Sequence, residues 1–266
     1  MIIYSGDEIE AARRSNRVVA RVLDELGAMI KPGVRTRDLD AYAEARTREL
    51  GGVPAFKGYR GYPATLCASV NEQIIHGIPS DRALREGDIV GIDFGVVLDG
   101  FYGDAARTYA VGETTPLARR LIATAERAFF KGFDEIKEGR RLSDVSHAIQ
   151  VAVEAEGFSV IRQFVGHGVG RSLHEDPQIP NFGAPGRGPR LRPGMILAVE
   201  PMIAAGGWEV EVLDDGWTAV TADRSLSAHF EHSVVLTVEG AEILSLTAST
   251  GGPEIWAAKE NPYAQG

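Results

Sequence analysis

Apolar residues recur at helical spacing over residues 7–30, at Ile9, Val19, Val22, Leu23, Leu26 and Ile30, and the pattern stops at Lys31-Pro32-Gly33. Thr36 is placed to cap a second helix running to about Leu50, before Gly51-Gly52. Alternating and continuous apolar runs then predict strands and turns to about residue 112. Helical spacing returns over 115–138, with Pro116 near its start, and over 143–156, with Gly157 just past its end. Strand patterns follow at about 158–165, 195–203 and 230–238, with a hairpin around Asp214-Asp215-Gly216. The order helices, sheet, helices, sheet fits an α+β chain whose helices cover a curved, mostly antiparallel sheet. A Gly/Pro-punctuated tail from Gly251, with Trp256 in it, is expected to be peripheral.

The run IVGIDFGVVLDGFYGDAARTY at 89–109 carries the first chemistry. Asp99-Gly100 is a two-residue hairpin turn signal, so Leu98 should face Phe101 and Gly95 should face Asp104. Asp93 then lies on the same face as Asp104, diagonal to it, with backbones roughly 7–8 Å apart. Strand interiors disfavour Asp, and two of them among Ile, Phe and Val repel unless a cation lies between. From the hairpin alone, a solvated sheet face is an equal reading.

An internal repeat tips the balance. IKPGVRTRDL at 30–39 matches IKEGRRLSDV at 136–145 with an offset of 106, and LREGDIVGID at 84–93 matches LRPGMILAVE at 191–200 with an offset of 107. The second match aligns Asp93 with Glu200. Two α/β halves, about 1–114 and 115–250, packed about a pseudo-two-fold axis inside one domain would bring these acids together at the centre.

Composition narrows the class without naming it. With 44% hydrophobic and 24% charged residues over 266 positions, the chain can bury a sizeable core. A formal net charge of −9 argues against a nucleic-acid surface, and the Arg-dense GRGPRLRPG at 186–194 reads as a loop. No apolar run approaches a membrane span and there is no signal-peptide core, which with the single cysteine, Cys67, favours the cytoplasm. Cys67 alone excludes an internal disulfide and a thiolate metal cluster.

Two histidine-bearing segments remain. Gly166-His167-Gly168-Val169-Gly170 leaves an imidazole uncrowded between glycines. Ala228-His229-Phe230-Glu231-His232 opens a strand in which Glu231 alternates against its neighbours. His229 and His232 are read as rim or core histidines held by hydrogen bonds, in preference to metal ligands.

Gly166-His167-Gly168-Val169-Gly170-Arg171 followed by His174-Glu175-Asp176-Pro177 resembles the GHGIGRxxHExP signature of the methionine aminopeptidases. Ile75-His76-Gly77-Ile78-Pro79, the Asp93…Asp104 hairpin, Glu200-Pro201-Met202 and Phe230-Glu231-His232 match that family's other motifs in order, over about residues 5–245. The resemblance implies the pita-bread fold, two pseudo-symmetric halves around the sheet, and the type I bacterial form. It implies two divalent ions (Co, Mn, Fe or Zn) held by Asp93, Asp104, His167, Glu200 and Glu231, with Asp104 and Glu231 bridging. It also implies His76 and His174 as substrate-contacting catalytic histidines, Glu200 as proton shuttle, and a methionine pocket of Tyr59, Tyr62, Cys67 and Trp217. The implied activity is removal of the N-terminal methionine from peptides and nascent chains, preferring a small second residue. The chain is expected to be monomeric, without nucleic acid or membrane, and its substrates leave room for docking at the ribosome. Leu173 and Phe56 depart from the commonest bacterial pattern, and both could alter pocket width. The rivals are a proline-directed relative, an aminopeptidase P or prolidase, which usually carries an added N-terminal domain, and a binding protein on the same fold with a dead site.

Overall fold

A computed structural model of the chain describes residues 2–247; the tail expected from Gly251, Trp256 included, lies outside the described residues. The first stretch comprises α1 (Gly6–Met29), α2 (Thr36–Glu49), β1 (Val53–Pro54), β2 (Leu66–Val70), β3 (Gln73–Ile75), β4 (Ile89–Leu98) and β5 (Phe101–Ala110). Next come α3 (Pro116–Phe133), α4 (Leu142–Glu154), β6 (Ser159–Val160), β7 (Gly166–Gly168), β8 (Glu175–Ile179), β9 (Ile196–Val199) and β10 (Met202–Ala204). The remainder is β11 (Val210–Val212), β12 (Ala219–Thr221), β13 (Ser227–His229), β14 (Glu231–Thr237) and β15 (Gly240–Ile243).

The main sheet runs β1-β4-β5-β14-β9-β7-β8, with β2 also on β4 and β15 also on β14, and each of these pairs is antiparallel. Ser5 and Glu8 form a capping box at the start of α1, and Pro116 opens α3 behind a Thr115 hydroxyl that accepts from the Ala118 amide. Leu23 and Leu26 of α1 and Leu39 of α2 bury against Val90, Ile92 and Phe94 of β4. Leu121 and Phe129 of α3 with Val145 and Ile149 of α4 bury against Leu197, Val199 and Val234. Contact between α1 and β5 needs Gly103, because a Cβ there would lie 2.8–2.9 Å from the backbone of Ser15 and Asn16.

The repeat is visible in the backbone. Arg35 bridges Ala83 and Arg141 bridges Arg190; Gly33 donates to the Leu84 carbonyl and Gly139 to that of Leu191. β5 and β14 pair at the centre, flanked by β4 and β9.

Some expected boundaries shift. Thr36 is the first residue of α2, not its cap, because its hydroxyl is engaged by the Ser80 backbone. α3 stops at Phe133, five residues before the expected 138, where a turn closed by the Glu135 amide on the Gly132 carbonyl takes over. The run 158–165 contains only the short β6, and 195–203 is interrupted at Glu200-Pro201, since proline has no amide to continue the ladder.

Candidate active site

The hairpin register is the expected one: Leu98 faces Phe101, Gly95 faces Asp104, and Asp99 and Gly100 turn the chain at φ 52° and 77°. Asp93 faces Ala106, and on the other side of β5 Ala106 faces Glu231. Asp93 and Glu231 therefore lie in one row across three strands, with Asp104 two residues along on the same face. His232 faces Val199, which sets Glu200 beside Glu231, and His167 faces Ala198 on the next strand. Register alone thus collects five metal-type donors from four strands and the Glu200 break.

Side-chain geometry is consistent with that convergence. One donor atom each of Asp104, His167 and Glu231 lies within 4.8 Å of the others. His167 Nε2 stands 3.4 Å from Glu200 Oε1 and 3.8 Å from Asp104 Oδ2. Its Nδ1 is 2.9 Å from the Gly168 carbonyl oxygen, which can only accept, so the proton sits on Nδ1 and the Nε2 lone pair faces the acids.

Burial makes the cluster electrostatically unfavourable by itself. Desolvation pushes Asp93 up to about 7, and drives Asp104, Glu200 and Glu231 well above the usual carboxylate range, with neighbouring carboxylates adding to the shift. His167 is lowered to about 3 by burial and then by His174. Asp93 Oδ1, Asp104 Oδ1 and Glu231 Oε1 are buried with no hydrogen-bond partner among the described residues. Unpartnered buried oxygens beside a neutral imidazole fit divalent cations, which would satisfy the oxygens and hold all four acids ionised.

The pocket above this cluster is lined by His76, His174, Tyr59, Tyr62, Cys67 and Trp217, every residue expected there, and also by Phe56 and Leu173. His174 Nδ1 is 2.9 Å from the Tyr59 hydroxyl, and its ring lies 4.3 Å from that of His167. His76 is held below its ordinary range at about 4, by burial and then by His174, and packs edge-on to Phe164 and Trp217. Tyr62 meets Trp217 edge-on at 5.1 Å, and its hydroxyl reaches the Leu66 and Gly77 carbonyls. Cys67 faces Asp93 across β2 and β4, and its thiol is raised well above its ordinary range by burial, which suits a wall rather than a nucleophile.

Sequence reasoning missed Arg60, Ile75, Phe164 and Val165 in the lining. Arg60 was visible only as the centre of GYRGYP, where it takes φ 50° between two left-handed glycines. Phe164 precedes the glycine-flanked histidine, a position whose direction depends on a break that the pattern did not reveal. The two downstream histidines separate. His232 is a core histidine with Nδ1 2.8 Å from the Ser245 hydroxyl; its Nε2 and that of His229 are both buried without a hydrogen-bond partner among the described residues, but only the His229 Nε2 faces Glu200 and Glu231.

A sheet with this topology and an acid-and-imidazole pocket at its centre has the make-up of a metallohydrolase. The family model "Metallopeptidase family M24" matches residues 10–238. A methionine aminopeptidase of Clostridium perfringens is 50% identical over 246 residues, which is 92% of this chain and 99% of that protein. The crystal structure of the Thermotoga maritima methionine aminopeptidase superposes with a TM-score of 0.92 at 49% identity, covering 93% of this chain and 100% of that one. A Pyrococcus furiosus prolidase shares the fold at TM-score 0.76 and 22% identity, the match spanning 66% of its chain. The chain belongs to metallopeptidase family M24, among its methionine aminopeptidases, and has their pita-bread fold.

Proposed function

We infer that this protein removes the N-terminal methionine from peptides and nascent polypeptides by metal-dependent hydrolysis of the first peptide bond. The observation that carries the reading is the convergence of Asp93, Asp104, His167, Glu200 and Glu231 beneath a pocket walled by Tyr59, Tyr62, Cys67 and Trp217. Two divalent ions, of Co, Mn, Fe or Zn, would be held by these five donors. When bound, they supply the Lewis acidity that makes water nucleophilic near neutral pH and polarises the scissile carbonyl.

The chain's own groups do the rest. The aromatic and sulfur walls accept the methionine thioether, at about 0.3–1.5 kcal/mol per sulfur–aromatic contact. Glu200 takes the proton of the attacking water and returns it to the leaving amine. In the tautomer in which His174 Nδ1 accepts from the Tyr59 hydroxyl, the ring carries its proton on Nε2, where it can donate to the developing oxyanion. His76, kept neutral by burial, hydrogen-bonds the scissile amide. Phe56 and Leu173 set the pocket's width. The preference for a small second residue is taken over from the family's pattern.

The test is a metal-reconstituted assay on Met-Ala-Ser, Leu-Ala-Ser and Ala-Pro-Ala. Release of methionine from the first, strongly preferred, is expected. Faster turnover of Ala-Pro-Ala would assign the site to the proline peptidases, and no turnover with any of the metals would leave a binding protein.

A further inference from the structure

The two halves of the sheet place their residues in equivalent pairs. On the N-terminal side Gly95 faces Asp104, and Asp93 faces Ala106. On the C-terminal side Met202 faces His229, and Val199 faces His232, which sets Glu200 against Glu231. Glu200 is the repeat counterpart of Asp93, so Met202 is that of Gly95 and His229 that of Asp104. The hydrogen bonds beyond the site agree: Gly87 donates to the Val111 carbonyl as Gly194 donates to that of Leu236, so the spacing from Asp104 to His229 is also that from Val111 to Leu236.

His229 is built for that position. Its side chain is 3% exposed, and its Nε2 has no hydrogen-bond partner among the described residues. That nitrogen lies 3.7 Å from Glu200 Oε2 and 3.9 Å from Glu231 Oε2. The separations match those of His167 from its two acids, 3.4 and 3.8 Å. They are too long for hydrogen bonds. Donors that share one ion, each about 2.0–2.2 Å from it, stand about 3.0–3.5 Å apart, so a small inward movement brings either imidazole into range. The backbone of His229 is fixed, because the Thr108 hydroxyl accepts from its amide and donates to its carbonyl, both at 2.9 Å.

We propose that His229 is a sixth donor of the metal centre, offering a second imidazole to the ion held between Glu200 and Glu231. The inference rests on the reading that the four acids and His167 hold divalent ions. A second nitrogen shifts the donor set away from Mn and toward Zn, Co and Fe.

The test is proton NMR of the Co(II)-loaded protein, in which each ligating imidazole contributes one strongly shifted N–H resonance that disappears in D2O. The wild type should show two such resonances. His167→Ala should remove one and His229→Gln the other, and His229→Gln should weaken Zn binding by about tenfold or more, measured by competition with a chelator. His229→Asn serves in the same way if the Gln variant does not fold. One resonance in the wild type, lost in His167→Ala and kept in both His229 variants, would overturn the proposal while leaving the five-donor site intact. No shifted imidazole proton at all would overturn the metal centre along with it.

Discussion

Asp93 shows at single-residue scale why this pocket responds to pH as well as to metal. Its carboxyl is raised from 3.8 to about 7 by burial, and Asp104, Glu200 and Glu231 are pushed in the same direction. The metal-free folded state therefore keeps protons that the unfolded chain releases. The associated stability is fully present below the unfolded carboxylate range and is lost as pH rises through about 7. Calorimetry in chelator should give a lower melting temperature at about pH 8 than at about pH 5.5, and excess divalent metal should abolish the difference. A chelated protein whose melting temperature rises over that interval would show that the acids are not buried together. Ligands and substrate contacts should also separate. Asp104→Asn should lose metal in elemental analysis together with most activity. His76→Ala should keep its metal and lose about 10²–10³-fold in kcat, the cost of one transition-state hydrogen bond. Asp93 and Asp104 were legible in the sequence because Asp99-Gly100 fixes a two-residue turn, and the turn fixes the register. His229 stands two residues before Glu231 and so shares its face by simple alternation, but that its Nε2 is left without a hydrogen-bond partner among the described residues depends on packing that no local pattern encodes.

At the scale of elements, the loop that carries His174 is held from the other end of the chain. The Tyr4 hydroxyl donates to the Glu175 carboxylate at 2.8 Å and accepts from the Arg171 amide at 3.1 Å, while the Ser172 amide donates to Glu175. Gly170 gives Tyr4 its room, since a Cβ there would lie 2.1 Å from the hydroxyl. Tyr4→Phe removes a charge-assisted hydrogen bond and leaves the Arg171 amide without its acceptor. A loss of about 1.5–3 kcal/mol in denaturant unfolding is expected, with a lower kcat and little change in KM. Unchanged kinetics would mean that the loop keeps His174 in place by other contacts. Partners 171 positions apart leave no local periodicity, which is why this clamp escaped the sequence while the helix faces did not. Elements with strong spacing, such as α1 and the β4–β5 hairpin, were legible to within a residue or two. The short strands around Glu200-Pro201 were not, because there the chain follows the site and not the pleat.

For the whole molecule, a buried cluster of like charges is a built-in destabilising centre that bound cations convert into a stabilising one. Metal binding should raise the melting temperature as well as activate the enzyme, and chelation should reverse both. Full activity in stripped protein with negligible metal content would end the metalloenzyme reading. The repeat in the sequence indicated this arrangement before any coordinates, since it aligned Asp93 with Glu200. The docking of the two halves was beyond it, because β5 meets β14 through register that no local pattern encodes.

That central pairing bears on how the protein is made. β14 lies between β5 and β9, so until residues 231–237 have been synthesised β9 lacks its ladder partner over four residues and β5 over two. Unpaired strand edges in the middle of a sheet are templates for aggregation. Chains truncated before Glu231 should accordingly sediment or be captured by chaperones, whereas chains extending past Ile243 should be recovered soluble in a centrifugation assay. Newly made molecules would thus pass abruptly from sticky and inert to closed and competent when one late strand slots into the gap.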